Sequence, residues 1–390
     1  MPFVSKLFIN YLIAFYVLWG LLNMLGFHSY EGGMMKVTSF IALFCLFQIK
    51  WNALDFIVVF YVIYMFLSGI WGDVRTELYV DGIVGQIMPV SMYFIARGKW
   101  FKDNAFLENM RWPLLFSFVC AIYLYFSMPS WYVDFKTQNW THELSGTNYY
   151  EHMRLSGFWP WSYFLGYASL FFIMYELKKN VFSSNCSHYQ LVLLIPAFLV
   201  LFLAQQRVSI AFCFLYIIFI IIYSKKNNQN TYSILLKWTI FSCFVLAAFV
   251  LFVISSFDKD LIDYILERSV NSESNIVSDR FKLFGKFSGT ISLMGLGLGH
   301  NSHLARDYGP NSITDCDYLR ILNEIGVIGF FILITIIIVS LLRGYCNLKS
   351  SFYEFSIILF LLVAMIGAAP LEHLPLHPYM YWYCIGRIFK

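Results

Sequence analysis

Twelve apolar stretches, most of them long enough to cross a bilayer, set what this chain can become. They fall near 4–25, 35–49, 53–71, 79–96, 112–127, 158–176, 189–205, 208–223, 235–256, 318–342, 352–370 and 374–388. A helix rises about 1.5 Å per residue, so about 20 residues cover the roughly 30 Å of hydrocarbon. The second run is short and the last carries Pro375 and Pro378, so eleven is the alternative count. The expected fold is all-α, a polytopic integral membrane helical bundle of about twelve transmembrane helices, forming a single domain over 1–390. Composition agrees: 13% of residues are charged and mean hydropathy is +0.65, whereas a soluble domain carries about 25% charged residues. The 20% aromatic content fits Trp and Tyr belts at both interfaces. Lys6 precedes a run of spanning length with no small-x-small cleavage pattern after it, which reads as a first helix rather than a signal peptide. The net charge of +4 is what loop bias requires and gives no reason to expect nucleic acid as a partner.

Orientation follows from lysine and arginine in short loops. Arg97, Lys99, Lys102 and Arg111 share one loop; Lys178 with Lys179, Lys225 with Lys226, and Arg343 with Lys349 mark the loops two, four and six helices further on. Alternate loops are therefore basic, which puts both termini in the cytoplasm. Two long segments, 128–157 and 257–316, fall on the outer side, together with the short turn around Arg207. These polar segments are expected to face the periplasm or the cell exterior. ATP and nucleotide sugars are absent there, so any transfer chemistry must draw on a donor carried in the membrane, such as a lipid phosphate or pyrophosphate. Most of the eight cysteines lie in apolar runs or cytoplasmic loops, and only Cys316 would face an oxidising space. No disulfide framework or zinc spacing follows.

Three outward arginines stand at membrane boundaries: Arg154 in "HMRLSGFWP", Arg207 in "AQQRVS" and Arg280 in "SDRFKLFGKF". A guanidinium grips phosphate oxygens bidentately and stays charged at any working pH. Headgroup snorkelling is the bland alternative for each. Arg207 fits it least well, because it occupies a very short turn between two apolar runs, where an ionisable residue is a functional candidate by default. His300, His303, Asp315 and Asp317 are candidate bases for a hydroxyl. Thr314 or Asp315 equally suits an N-cap, with acids in the first turn of the helix that follows. The "DCD" pattern matches a weak metal-diphosphate motif, but the reading calls for neither metal nor cofactor. Arg320 and Glu324, spaced i,i+4, read as a structural pair. Gly326 and Gly329 read as a site of close helix approach. Gly295, Gly297 and Gly299 mark a turn; their N–H groups could alternatively face a phosphate.

In this order and at these membrane positions, the motifs resemble the superfamily of bacterial O-antigen polymerases (Wzy) and O-antigen ligases (WaaL). That family carries a His-Asn pair, nine residues, and then Gly-x-x-Gly at the entrance of a late helix. Here Gly326-Val-Ile-Gly329 supplies the glycines, and the count back lands on Asp315-Cys316, so Asp315 replaces the family histidine. Arg154, Gly157 and Pro160 resemble the family's Arg-x-x-Gly…Pro segment. Arg207 stands in its Ser-Arg turn with Gln206 for Ser, and Arg280 before "GLGLG" resembles its second-loop arginine. The resemblance covers roughly 150–345. It implies a membrane glycosyltransferase that polymerises oligosaccharide repeat units carried on undecaprenyl pyrophosphate, with lipid-linked glycans as donor and acceptor. Arg154, Arg207 and Arg280 would hold the pyrophosphate, with Arg207 and Arg280 also stabilising charge on it, and Asp315 or a nearby histidine would activate the acceptor. Membrane lipids and a chain-length regulator are the further partners expected. The histidine is more uniform among ligases, so its replacement favours polymerase over ligase to lipid A–core. A flippase or transporter is the rival of another class. The runs 208–223 and 235–256 carry only Lys237, at an end, and no internal repeat stands out, both of which favour an enzyme.

Overall fold

The computed structural model describes residues 21–22, 38–43, 45–98, 105–139, 155–159, 162–182, 192–227, 285, 287–308, 312–313, 316–372 and 376–390. Among these residues the chain forms helices and turns and no strand. In order, the helices are α1 (Ala53–Trp71), α2 (Thr76–Arg97), α3 (Ala105–Ser127), α4 (Ser130–Asn139), α5 (Ser162–Phe182), α6 (Leu194–Leu203), α7 (Arg207–Asn227), α8 (Asp317–Cys346), α9 (Leu348–Ala364) and α10 (His377–Ile388). Among the described residues four helices are long and apolar enough to cross a membrane: α1, α2, Leu107–Ser127 within α3, and α8. They coincide with or enclose the runs 53–71, 79–96, 112–127 and 318–342. The runs 189–205 and 208–223 appear as the shorter apolar helices Leu194–Leu203 and Arg207–Ile222. The runs 4–25 (apart from 21–22) and 235–256, and most of the two long segments, lie outside the described residues.

Local chemistry sets the ends of α1. Asn52 accepts from the Asp55 backbone N–H at 3.0 Å while the Asp55 carboxylate accepts from the Asn52 N–H at 2.7 Å. This reciprocal cap satisfies two donors that a helix start leaves open. The helix stops at Gly72, which turns extended. Along α1 the side chains of Phe56, Phe60, Ile63, Phe66 and Ile70 are exposed at helical spacing, as are Phe331, Ile338 and Leu342 on α8. Exposed apolar stripes of this kind on long helices are what lipid covers. α2 changes winding midway, through a π turn at Ile83–Ile87 and a 3-10 turn at Met88–Val90. Pro89, which has no N–H for the ladder, sits where the winding changes.

Residues Phe27–Glu108 and Ser278–Lys390, with the first sixteen residues, form one compact unit. One of its ends is built on Arg97, the last residue of α2. The Arg97 guanidinium pairs with Asp55 at 2.9 Å and donates to the carbonyls of Lys50 and Phe389. Arg343, near the end of α8, donates to the Ile388 carbonyl at 3.3 Å and lies over the Phe389 ring. The start of α1 and the ends of α2, α8 and α10 therefore meet at one basic end. The end of α1, the start of α2 and the start of α8 lie at the other.

The second unit is Val17–Gly26 with Asn109–Val277. Within it α5 pairs with α3 through Arg111 and Glu176 at 2.6 Å, and with α7 through Tyr216 Oη donating to Met174 O at 2.8 Å. The outer segment expected at 128–157 contains α4. Two of its side chains, one turn apart, hold the segment 156–159: Tyr132 donates to Gly157 O at 2.8 Å, and buried Lys136 donates to Ser156 Oγ at 2.8 Å and to Trp159 O.

Candidate functional site

The GLGLG segment and the head of α8 form one structure, organised by a break at Gly326. Its φ of 69° and ψ of −177° lie in a region essentially reserved for glycine. A helix broken there loses backbone pairs on both sides, and a distant segment replaces them. Leu296 and Gly297 donate to Asn323 O and Glu324 O at 2.8 and 2.9 Å, while Val327 and Ile328 donate to Ser292 O and Leu293 O, both at 3.1 Å. Tyr64 Oη donates to Ile325 O at 3.1 Å. Non-helical backbone at membrane depth is tolerated only where protein satisfies it in this way. A side chain at Gly295 would lie 2.3 Å from Glu324 O, so this glycine is required by close approach. Within the segment the Gly297 N–H donates to Glu324 O, the Gly295 N–H to Ser292 Oγ at 2.8 Å, and the neighbouring Leu298 N–H to Ser68 Oγ at 3.1 Å.

Above the break, the first turns of α8 hold a buried charge cluster. Asp317, Arg320 and Glu324 are fully buried and Glu372 nearly so. Arg320 contacts Asp317 Oδ1 at 2.5 Å, Glu324 Oε2 at 3.1 Å and Glu372 Oε2 at 3.6 Å. Gln86 of α2 donates to Glu324 Oε2 at 2.5 Å. The pairing of Arg320 with Glu324 expected from their spacing is present, but at the centre of a five-residue network. Glu372 and Gln86 were not legible as members. Each is far along the chain from Arg320, and only the oddity of a polar residue inside an apolar stretch marks them.

The candidate bases occupy different settings. Asp317 directs Oδ1 to Arg320 and accepts from the Leu371 N–H on Oδ2 at 2.7 Å, so both oxygens are engaged. The helix starts at Asp317 after Cys316, which makes no side-chain cap; the Asp317 N–H instead donates to Met365 O and Ala368 O at 3.0 and 3.2 Å. The cap expected at Thr314 or Asp315 is thus displaced to Cys316, and two carbonyls just beyond α9 accept from the first turn. His300 and His303 are half-buried in the turns that follow Gly299. The His303 N–H donates to Glu372 Oε1, and the Asn301 N–H donates to Glu324 Oε1 at 3.0 Å. Asp315, Arg154 and Arg280 lie outside the described residues.

Arg207 opens α7 in the second unit and is exposed. The turn before it is tight: Gln205 has a φ of 54°, and Gln206 Nε2 donates to Ser162 Oγ at 3.2 Å. Leu155, next to Arg154 in the chain, donates its N–H to Leu203 O at 3.2 Å. The segment following Arg154 is thereby tied to the end of α6, four residues before Arg207.

Residues 191–334 match the family model described as Wzy_C, O-antigen ligase. No curated protein matched the chain. The matched stretch contains Arg207, Arg280, His300, His303, Asp315, the head of α8 and both glycines of the Gly-x-x-Gly pair. The match supports the O-antigen polymerase and ligase superfamily, a group of membrane enzymes of polysaccharide assembly.

Proposed function

We propose that the protein is a polymerase of this superfamily, a glycosyltransferase that joins repeat units carried on undecaprenyl pyrophosphate at the outer face of the inner membrane. The observation that carries the proposal is the family match over 191–334, which takes in most of the residues proposed for the site. In this reading the donor is the glycan on its lipid pyrophosphate. The C1–oxygen bond to pyrophosphate breaks, the acceptor hydroxyl of a second lipid-linked glycan forms the new bond, and its proton passes to a base. Pyrophosphate leaves well, so stabilising its developing charge matters more than protonating it. Arg154, Arg207 and Arg280 take that role, and Asp315 takes the proton, with His300 and His303 as the next candidates. The chemistry needs no cofactor.

The description of the matching family as a ligase keeps a second reading in view, transfer of the finished glycan to a lipid A–core acceptor. Deleting the gene separates the two. The polymerase reading expects surface lipid that still carries single repeat units and no ladder of longer chains. Loss of every repeat, the single unit included, would replace it with the ligase or the flippase reading.

A further inference from the structure

The cluster around Arg320 has a regularity that glycan transfer as proposed does not use. Each carboxylate turns one oxygen to the guanidinium and the other to a backbone N–H. Asp317 holds Leu371, Glu324 holds Asn301, and Glu372 holds His303. Two of those three N–H groups belong to the short turn that carries both histidines. The chain leading into that turn alternates glycines at positive φ, Gly295, Gly297 and Gly299, which leave a backbone with much freedom to lose. A charged acceptor makes a shorter and stronger bond to an amide than a neutral one does. A guanidinium, with five donors in a fixed plane, can hold several carboxylates in one arrangement, where an ammonium would act as a point charge. Buried ion networks add little net stability over apolar packing, so geometry is what this one supplies.

We propose that Arg320 is a positioning residue, which acts through Glu324 and Glu372 to fix the backbone at Asn301 and His303 and so sets where His300 and His303 stand at the head of α8. The consequence for catalysis rests on the glycan-transfer reading; the positioning itself does not. Glu372 is the place to test it, since it lies beyond α9 and tethers the turn without being part of α8. The full-length protein in lipid nanodiscs is followed by amide hydrogen exchange as wild type, Glu372→Ala and Glu372→Gln. In the alanine variant, exchange over 300–305 rises by roughly tenfold or more, while 327–346 stays as protected as in wild type. The glutamine variant, whose side-chain carbonyl can still accept from His303, regains most of the protection. Unchanged exchange over 300–305 in the alanine variant would overturn the proposal. So would equal loosening of 327–346, which would make the cluster a staple for the whole helix.

A second arm measures turnover on lipid-linked repeat units. Glu372→Ala lowers kcat by roughly ten- to a hundredfold with KM for the donor unchanged, and Glu372→Gln restores most of it. A loosened turn with unaltered kcat overturns the link between this turn and catalysis. If the wild-type protein transfers nothing to these substrates, the glycan-transfer reading fails, and the exchange arm still decides the positioning.

Discussion

Arg207 and Arg320 carry the same side chain, but different physics governs them. Arg320 is enclosed with three carboxylates, and removing the guanidinium from such a buried group costs about 3–5 kcal/mol, because the carboxylates are left uncompensated. Arg207 is exposed on the first turn of α7. A cation there opposes the helix dipole by about 0.3–1 kcal/mol, so its presence needs a reason other than helix stability. Surface substitutions change stability by only about 0.5 kcal/mol. Arg207→Lys should therefore leave expression and melting temperature unchanged. It should nevertheless lower polymer yield by roughly ten- to a hundredfold, since a lost charge-assisted contact is worth about 1.5–3 kcal/mol and lysine has no fork for two phosphate oxygens. Wild-type chain lengths and yield in the lysine variant would return Arg207 to snorkelling. The sequence reads Arg207 as part of the short turn between two apolar helices, and the structure has it as the first residue of the second of them, just past that turn. The sequence undervalued Arg320, because the i,i+4 spacing with Glu324 is also what a solvent-exposed pair shows. Burial depends on α2 and on the chain beyond α9, neither of which is local.

At the scale of elements, the Gly-x-x-Gly pair divides into two jobs. Gly329 behaves as the spacing predicts: a side chain there would meet the Tyr64 ring at 2.7 Å, so the glycine lets α1 approach α8. Gly326 instead breaks the helix, and a side chain there would fall 2.3 Å from Gly295 N, against backbone. Nothing local to "NEIGVIGF" distinguishes the two, because an isolated glycine in an apolar helical pattern reads as a packing position. The distinction comes from the segment 292–297, about 30 residues earlier, whose backbone replaces the missing helical pairs. Helix existence was legible for the opposite reason: length and hydropathy are local, and α1 coincides with its apolar run. Gly326→Ala should combine backbone strain of about 1–3 kcal/mol with the clash, and lower the melting temperature of the detergent-solubilised protein. Gly329→Ala should do so less, because an aromatic ring can move where backbone cannot. Equal melting shifts for the two would mean that the break at Gly326 is not what holds the GLGLG segment.

For the molecule as a whole, the decisive quantity is which side of the membrane the head of α8 faces, since that fixes the class of donor. The lysine and arginine count over short loops puts Arg97, Arg343 and Lys349 in the cytoplasm. The first unit turns that count into geometry. Arg97 and Arg343 meet at the carbonyls ending α10, while Gly72 and the start of α2 meet Gly297 and Gly299 at the end that carries Asp317. The part of α8 after Gly326 runs from one end to the other in about 20 residues, or about 30 Å. Asp73 and Cys346 are both exposed and should report opposite sides. In spheroplasts of a bacterial host, a membrane-impermeant maleimide should label Asp73→Cys in intact cells and reach native Cys346 only after lysis, as read by peptide mass spectrometry. The reverse pattern would place the histidine turn and the charge cluster in the cytoplasm. Nucleotide sugars are present there, so a donor carried on lipid pyrophosphate would no longer be required, whichever residues line the site.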